Sequence, residues 1–111
     1  MKNAVQTGDV LTLTAPYART SGQGMLVGSI FAVCTTDIAS GATGEAETLG
    51  VFELAKLSAQ AWTVGALIYW DDTAKNCTTV ASTNKLIGVA TAVAQNPSAT
   101  GRVRLNGAFI A

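Results

Sequence analysis

The sequence contains no histidine, and only 13% of its 111 residues are charged. Without histidine the chain lacks the commonest general base and the commonest transition-metal ligand, which excludes Ser-His-Asp catalysis, Cys-His catalysis and histidine-bound metal centres. It also has no G-x-x-x-x-G-K-[ST] segment, the phosphate-binding loop of ATP-driven enzymes. Its acidic residues, Asp71 and Asp72 among them, do not have the spacing of a calcium loop. We therefore predict a protein that is not an enzyme and that uses no cofactor and no metal ion.

An excess of positive charge and a long apolar run are missing as well. Seven Lys and Arg residues balance seven Asp and Glu residues, so the formal net charge is zero. Nucleic acid is not expected as the main ligand, because non-specific affinity for it comes mostly from a surplus of positive charge. The longest apolar stretch, residues 25–34, is too short to cross a bilayer, and the first residues lack the core of a signal peptide. We expect a soluble cytoplasmic chain without membrane association.

Amphipathic helix patterns are also lacking, and Thr, Val, Ile and Gly fill the chain instead. The only helix candidate is a short turn at residues 55–61. These features predict an all-β fold, a small single-domain barrel or sandwich of about seven short strands. Both faces of residues 25–34 are apolar, so we expect that strand to be central. The predicted strands are residues 9–15, 25–34, 45–54, 66–70, 77–81, 86–94 and 102–106. Residues 71–76 form a polar run that predicts a hairpin turn between the strands at 66–70 and 77–81.

Two halves of the chain resemble each other faintly. Residues 26–28 and 32–33 match residues 86–88 and 92–93 at an offset of 60, and residues 39–41 match residues 99–101 at the same offset. Such a repeat predicts two related halves that close one barrel, although a chain rich in Ala, Gly and Val also matches itself by chance. At this length we expect an N-terminal arm, residues 1–8, followed by a single β domain, residues 9–111.

Two pairs of residues deserve separate predictions. Cys34 and Cys77 are the only cysteines, and we expect free buried thiols because unexported proteins rarely use disulfides, with a bridge between them as the alternative.

Arg102 and Arg104 are two residues apart on the last predicted strand, so they point to the same side. That side is either a solvated strand face or a small cationic patch that orients an acidic partner.

Ordered blocks across nearly the whole chain resemble one known family. The blocks are GDVLTLTAP at 8–16, SGQG through VG at 21–28, GVFEL at 50–54, Trp62 with Gly65, YWDD at 69–72, LIGVA at 86–90 and GRVRL at 101–105. Together they resemble the small head decoration proteins, or capsid cement proteins, of tailed phages. Some members of that family carry the label of phage recombinase, which the missing phosphate-binding loop does not support.

The resemblance implies a β-rich virion protein that binds the outside of the expanded head, clamps neighbouring major capsid subunits and forms a homotrimer. Such a protein is made in the cytoplasm of the bacterial host and ends on the capsid exterior. The expected capsid contacts are an arm able to add a strand to an exposed edge, and the two arginines of the last strand. These residues are Lys2, Asn3, Ala4, Val5, Gln6, Thr7, Arg102 and Arg104. The alternative is a phage or prophage accessory protein that acts in DNA recombination or binds nucleic acid.

Overall fold

The computed structural model describes residues 9–106, which form nine β-strands and no helix. The strands are β1 (Val10–Thr14), β2 (Gly24–Val27), β3 (Ile30–Cys34), β4 (Thr43–Glu47), β5 (Leu49–Ala55), β6 (Leu67–Asp71), β7 (Asn76–Thr78), β8 (Lys85–Ala90) and β9 (Thr100–Asn106). They build a four-stranded sheet in the order β1-β4-β3-β2 and a five-stranded sheet in the order β5-β9-β8-β6-β7. The all-β prediction is confirmed.

The five-stranded sheet curls into a half-barrel because its two outer strands approach each other. Just after β5, Leu57 N donates to Cys77 O of β7 at 2.9 Å. An irregularity in the pairing of β6 with β8, between Ile68 and Tyr69, accompanies this curvature. The concave side is filled by two tryptophans and by aliphatic side chains. Buried residues on this side include Leu54, Trp62, Ile68, Trp70, Ile87, Val103 and Leu105.

Strand β3 connects the half-barrel to the four-stranded sheet. Phe31 and Val33 belong to the half-barrel core, whereas Ala32 and Cys34 belong to a second core on the other side of β3. Successive side chains of a strand point to opposite faces, so one strand supplies both cores. The prediction that this apolar strand is central is therefore confirmed for β3.

Two of the predicted strands are each divided in two. Residues 25–34 form the hairpin of β2 and β3, which turns at Gly28 with a φ of 59°, a conformation that glycine adopts at little cost. Residues 45–54 are interrupted at Thr48, whose N–H donates to Asp9 O at 2.8 Å. The chain passes there from one sheet to the other. The predicted turn of helix at residues 55–61 is also wrong, because Lys56 pairs with backbone groups of two neighbouring segments instead.

The two halves share their strand order, but not at the predicted offset. The order β1-β4-β3-β2 is repeated by β5-β9-β8-β6, and β7 is an addition to the second half. Backbone bonds agree with this match, since Gly22 N donates to Cys34 O and Gly65 N donates to Ala90 O, both at 2.8 Å. The offset is thus 43 residues before the insertion of β7 and 56 residues after it. An offset of 60 is wrong because it equates a turn glycine with a glycine inside β8.

Both cysteines are free thiols, buried in different cores. Burial raises the pKa of Cys77 to about 12 and also raises the pKa of Cys34. We expect Cys34→Ser and Cys77→Ser each to lower the free energy of unfolding by about 1–3 kcal/mol, because a hydroxyl group is harder to bury than a thiol. The corresponding alanine variants should lose less. Chemical denaturation measures these losses, and a melting temperature that depends on reductant would contradict the assignment of free thiols.

Candidate functional site

Strand β9 places its two arginines on the convex side of the half-barrel. Val103 and Leu105 are buried in the core, so the alternating side chains of Arg102 and Arg104 point to solvent, and both are exposed. The prediction that the two arginines share one face is confirmed by this arrangement.

The surroundings of the two arginines differ. Arg102 Nε lies 3.7 Å from Glu53 Oε1 on the neighbouring strand β5, and both side chains are more than 60% exposed, so this ion pair is weak. Arg104 forms no salt bridge within residues 9–106. Its neighbours across the sheet are Val51 and Val89. Of the two arginines of β9, only Arg104 therefore has its charge unpaired in the described part of the chain.

A mostly apolar row crosses the convex side of the half-barrel. Val51, Arg104, Val89 and Leu67 are register partners on β5, β9, β8 and β6, and we call them the outer row. Val51 is 54% exposed and Leu67 is 52% exposed. The sequence did not predict this row, because the alternation within each strand does not reveal which strands lie side by side.

The solvent-facing part of the four-stranded sheet has a different character. Its exposed strand positions in β1 and β4 are occupied by hydroxyl and carboxylate side chains, namely Thr12, Thr14, Thr43 and Glu45. Such residues are typical of a sheet face in contact with water. The exposed face of β1 and β4 is therefore polar, in contrast to the outer row.

A part-buried set of hydrogen bonds, which we call the clasp, joins the two sheets. Tyr17 Oη and Trp70 Nε1 both donate to Asp72 Oδ1, at 2.7 and 3.0 Å, and Leu26 N donates to Tyr17 Oη at 3.0 Å. Lys75 Nζ lies 4.1 Å from the centre of the Tyr17 ring. The predicted hairpin is confirmed, because β6 and β7 pair antiparallel. Its link to a tyrosine 55 residues earlier in the chain was not predicted.

Electrostatics favour the ionised state of Asp72 and the neutral state of Tyr17. Desolvation raises the pKa of Asp72, but the Trp70 and Tyr17 donors and the nearby cations outweigh it, so the pKa lies below its usual value. Burial, assisted by the bond to Asp72, raises the pKa of Tyr17 to about 12. At neutral pH the tyrosine is therefore a phenol donor and the aspartate is an acceptor.

Removing the acceptor of the clasp should destabilise the protein in a pH-dependent way. We expect Asp72→Ala to lower the free energy of unfolding by about 1–2 kcal/mol, because two donors lose their partner at a half-exposed site. The folded-state pKa is depressed, so the contribution of Asp72 is fully present above about pH 4 and is lost as the pH falls through the folded-state pKa. Denaturation of both proteins at pH 7 and pH 3 measures this. If Asp72→Ala lowers the free energy of unfolding by the same amount at pH 7 and at pH 3, the assignment is contradicted. In addition, the stability losses caused by Tyr17→Phe and by Asp72→Ala should be less than additive in the double variant.

A groove of about 540 Å³ lies beside the clasp, lined by polar and apolar side chains of the β6–β7 hairpin and of residues 80–85, together with Leu26 and Leu57. Residues 9–106 contain no group of three acidic or cysteine side chains placed to hold a metal ion. Over the same residues, no helix is long and apolar enough to cross a membrane. The predicted arm residues, from Lys2 to Thr7, lie outside the described part of the chain.

Comparison with known protein families identifies the family of this chain. A family model described as phage cement protein matches residues 5–105, a range that includes almost all of the two sheets and both arginines of β9. No curated protein and no solved structure matches the chain significantly.

Proposed function

Because the chain belongs to the phage cement protein family, we propose that it binds the outer surface of the expanded phage head and clamps neighbouring major capsid subunits there. The family match over residues 5–105 carries this proposal. A structural role of this kind needs no catalytic group, and it accords with a chain that has no histidine and no net charge. The outer row supports it further, because an exposed apolar strip around a cation is typical of a surface that a protein partner covers.

Binding alone is sufficient to stabilise a shell. A protein that binds the assembled head, but not its separate subunits, adds its binding free energy to the assembled state. At a hundredfold excess over the dissociation constant, this contribution is about 2.7 kcal/mol for each site. Because an icosahedral head repeats the same site many times, a modest affinity at each copy is enough to resist disassembly.

The proposed assembly is a homotrimer on the capsid exterior, made in the cytoplasm of the bacterial host. Strand β1 ends the four-stranded sheet and has one neighbour in its strand order. Unpaired strand edges invite association, and closed symmetry is one way to cover them. Light scattering of the purified protein at micromolar concentration should therefore give the mass of an oligomer. A monomeric mass would contradict this part of the proposal.

The central test is co-sedimentation of the purified protein with expanded, DNA-free heads of the corresponding phage. We expect saturable retention on these heads. The same preparation should bind duplex DNA only weakly at physiological salt, because the chain has no net positive charge. Tight DNA binding together with no retention on expanded heads would overturn the proposal and favour the accessory role in recombination or nucleic-acid binding.

The predicted arm provides a second test. We propose that residues 9–111 form a single β domain and that residues 1–8 are an arm that contacts the capsid. Deleting residues 1–7 should leave the melting temperature unchanged, because this mostly polar stretch precedes the first strand β1, while it weakens retention on expanded heads. A control with a Gly-Ser arm of the same length separates the sequence of the arm from its length. Unchanged retention of the deletion variant would exclude the arm as a contact.

A further inference from the structure

We infer that the outer row is a docking surface for the phage shell, and that its partner is an apolar segment of a capsid subunit that presents one carboxylate to Arg104. This inference rests on the proposed function. In this inference the two arginines of β9 have different roles. Arg104 binds the carboxylate of the partner, and Arg102 lies at the periphery of the contact.

The apolar character of the row is the first reason. Its four residues lie side by side on four neighbouring strands, which makes the row about 14 Å wide at the usual spacing between strands. Val51 and Leu67, at its two ends, are each more than half exposed. Covering these side chains removes apolar surface from water, which is the main favourable contribution to protein association.

The charge at the centre of the row is the second reason. Arg104 lies between Val51 and Val89 and forms no ion pair within residues 9–106. When a partner covers the row, this guanidinium loses water, and an unpaired charge in that position would oppose binding. A carboxylate on the partner offsets the loss, and the planar guanidinium can hold both of its oxygens. The partner surface should therefore carry an acidic side chain among apolar ones.

The neighbouring arginine occupies a different environment. Arg102 already has Glu53 at 3.7 Å, on the same convex side of the sheet. An incoming carboxylate at Arg102 would therefore meet the negative charge of Glu53. The sequence alone presents the two arginines as equivalent, whereas this geometry does not.

The row is also held firmly by the layer beneath it. The residues that alternate with its members, Ile68, Val103 and Leu105, are buried in the half-barrel core. Within β8, Gly88 brings the strand so close to the Arg104 carbonyl that a Cβ atom would collide with it. A surface on a packed sheet loses little conformational entropy on binding, which favours docking without rearrangement.

The test measures retention of single variants on expanded, DNA-free heads of the corresponding phage. Arg104→Gln should raise the dissociation constant about tenfold, whereas the matched control Arg102→Gln should change it by less than about twofold. The double variant Val51→Thr/Leu67→Thr should also raise it about tenfold, through lost apolar contact. Thr12→Ala, on the solvent-facing side of the four-stranded sheet, should not change the dissociation constant. Melting temperatures establish that each variant is folded, and all five positions are solvent-exposed.

The outcomes distinguish this inference from the function on which it rests. Retention of the wild type, with a selective loss for Arg104→Gln and for the double threonine variant, supports both. Retention of the wild type with equal affinities for the two arginine variants, or with an unaffected threonine variant, overturns the docking surface and leaves the proposed function standing. If the wild-type protein itself is not retained, the proposed function fails and the docking surface fails with it.

Discussion

Replacing Gly101 with alanine will lower the free energy of unfolding by about 3 kcal/mol, because the half-barrel has no space for a methyl group at this position. Gly101 lies in β9, opposite Leu54 of β5, where its missing side chain makes room for the ring of Trp62. An added Cβ atom would collide with that ring, which is fully buried and belongs to the main core. Neither the Trp62 ring nor β9, which lies between β5 and β8, can move aside without disturbing the core packing.

A double-mutant cycle tests this explanation. Trp62→Leu alone should cost about 3 kcal/mol by leaving a cavity in the core. In that background, Gly101→Ala should cost less than about 1 kcal/mol, because the colliding ring is gone. Thr100→Ala, the neighbouring exposed position on β9, is the control and should change the stability little. Equal losses for Gly101→Ala in the two backgrounds would show that a different contact is responsible.

Replacing Lys56 with glutamate will lower the free energy of unfolding by about 2–3 kcal/mol, because a negative charge would take the place of a positive one among backbone carbonyl oxygens. Lys56 is only 4% exposed. Its ammonium group donates to the backbone carbonyls of Leu57, Ser98 and Ser58, at 2.8, 3.3 and 3.4 Å. Burial lowers the pKa of Lys56, and the three carbonyl oxygens compensate for the water that its charge has lost. A carboxylate would face the same oxygens and would be repelled by them.

Two control variants separate the sign of the charge from the loss of the side chain. Lys56→Met has a similar length but leaves the carbonyls without a donor, and should cost about 1–2 kcal/mol. Lys85→Glu makes the same charge reversal at a more accessible position and should cost less than about 1 kcal/mol. Urea denaturation of the three variants provides the comparison. A loss for Lys56→Glu no larger than that for Lys56→Met would exclude charge burial as the cause.

Both positions lie at the same end of the half-barrel. Lys56 Nζ is 5.8 Å from the centre of the Trp62 ring, and Lys56 N donates to Ala99 O next to the start of β9. The first residues of β9 are thus anchored by Trp62 and by the segment that contains Lys56. Because β9 also carries Arg104, a variant of Gly101 or Lys56 that is less stable could also bind heads less well. The stability of such a variant should be measured before any effect on head binding is interpreted.

Local patterns in the sequence determined the class of the fold and much of its detail. The scarcity of helical stripes and the abundance of β-branched residues predicted an all-β protein, and the turn after Trp70 predicted the β6–β7 hairpin, both as observed. The alternation around Val103 placed Arg102 and Arg104 on one face. These features depend only on neighbours in the chain, because a strand repeats every two residues and a turn is formed by a few adjacent ones.

The tertiary structure alone decided how these elements combine. The sequence predicts a continuous strand through Thr48, but one sheet ends there. The reason is that the N–H of Thr48 donates to the backbone carbonyl of Asp9, 39 residues earlier in the chain. Tyr17 meets Asp72 only after the two sheets pack, and Val51 meets Arg104 only after β5 pairs with β9. Contacts of this kind follow from the pairing of distant strands, which the alternation within one strand does not specify. Sequence therefore determined which side chains face the same way, and the pairing of the strands decided which of them touch.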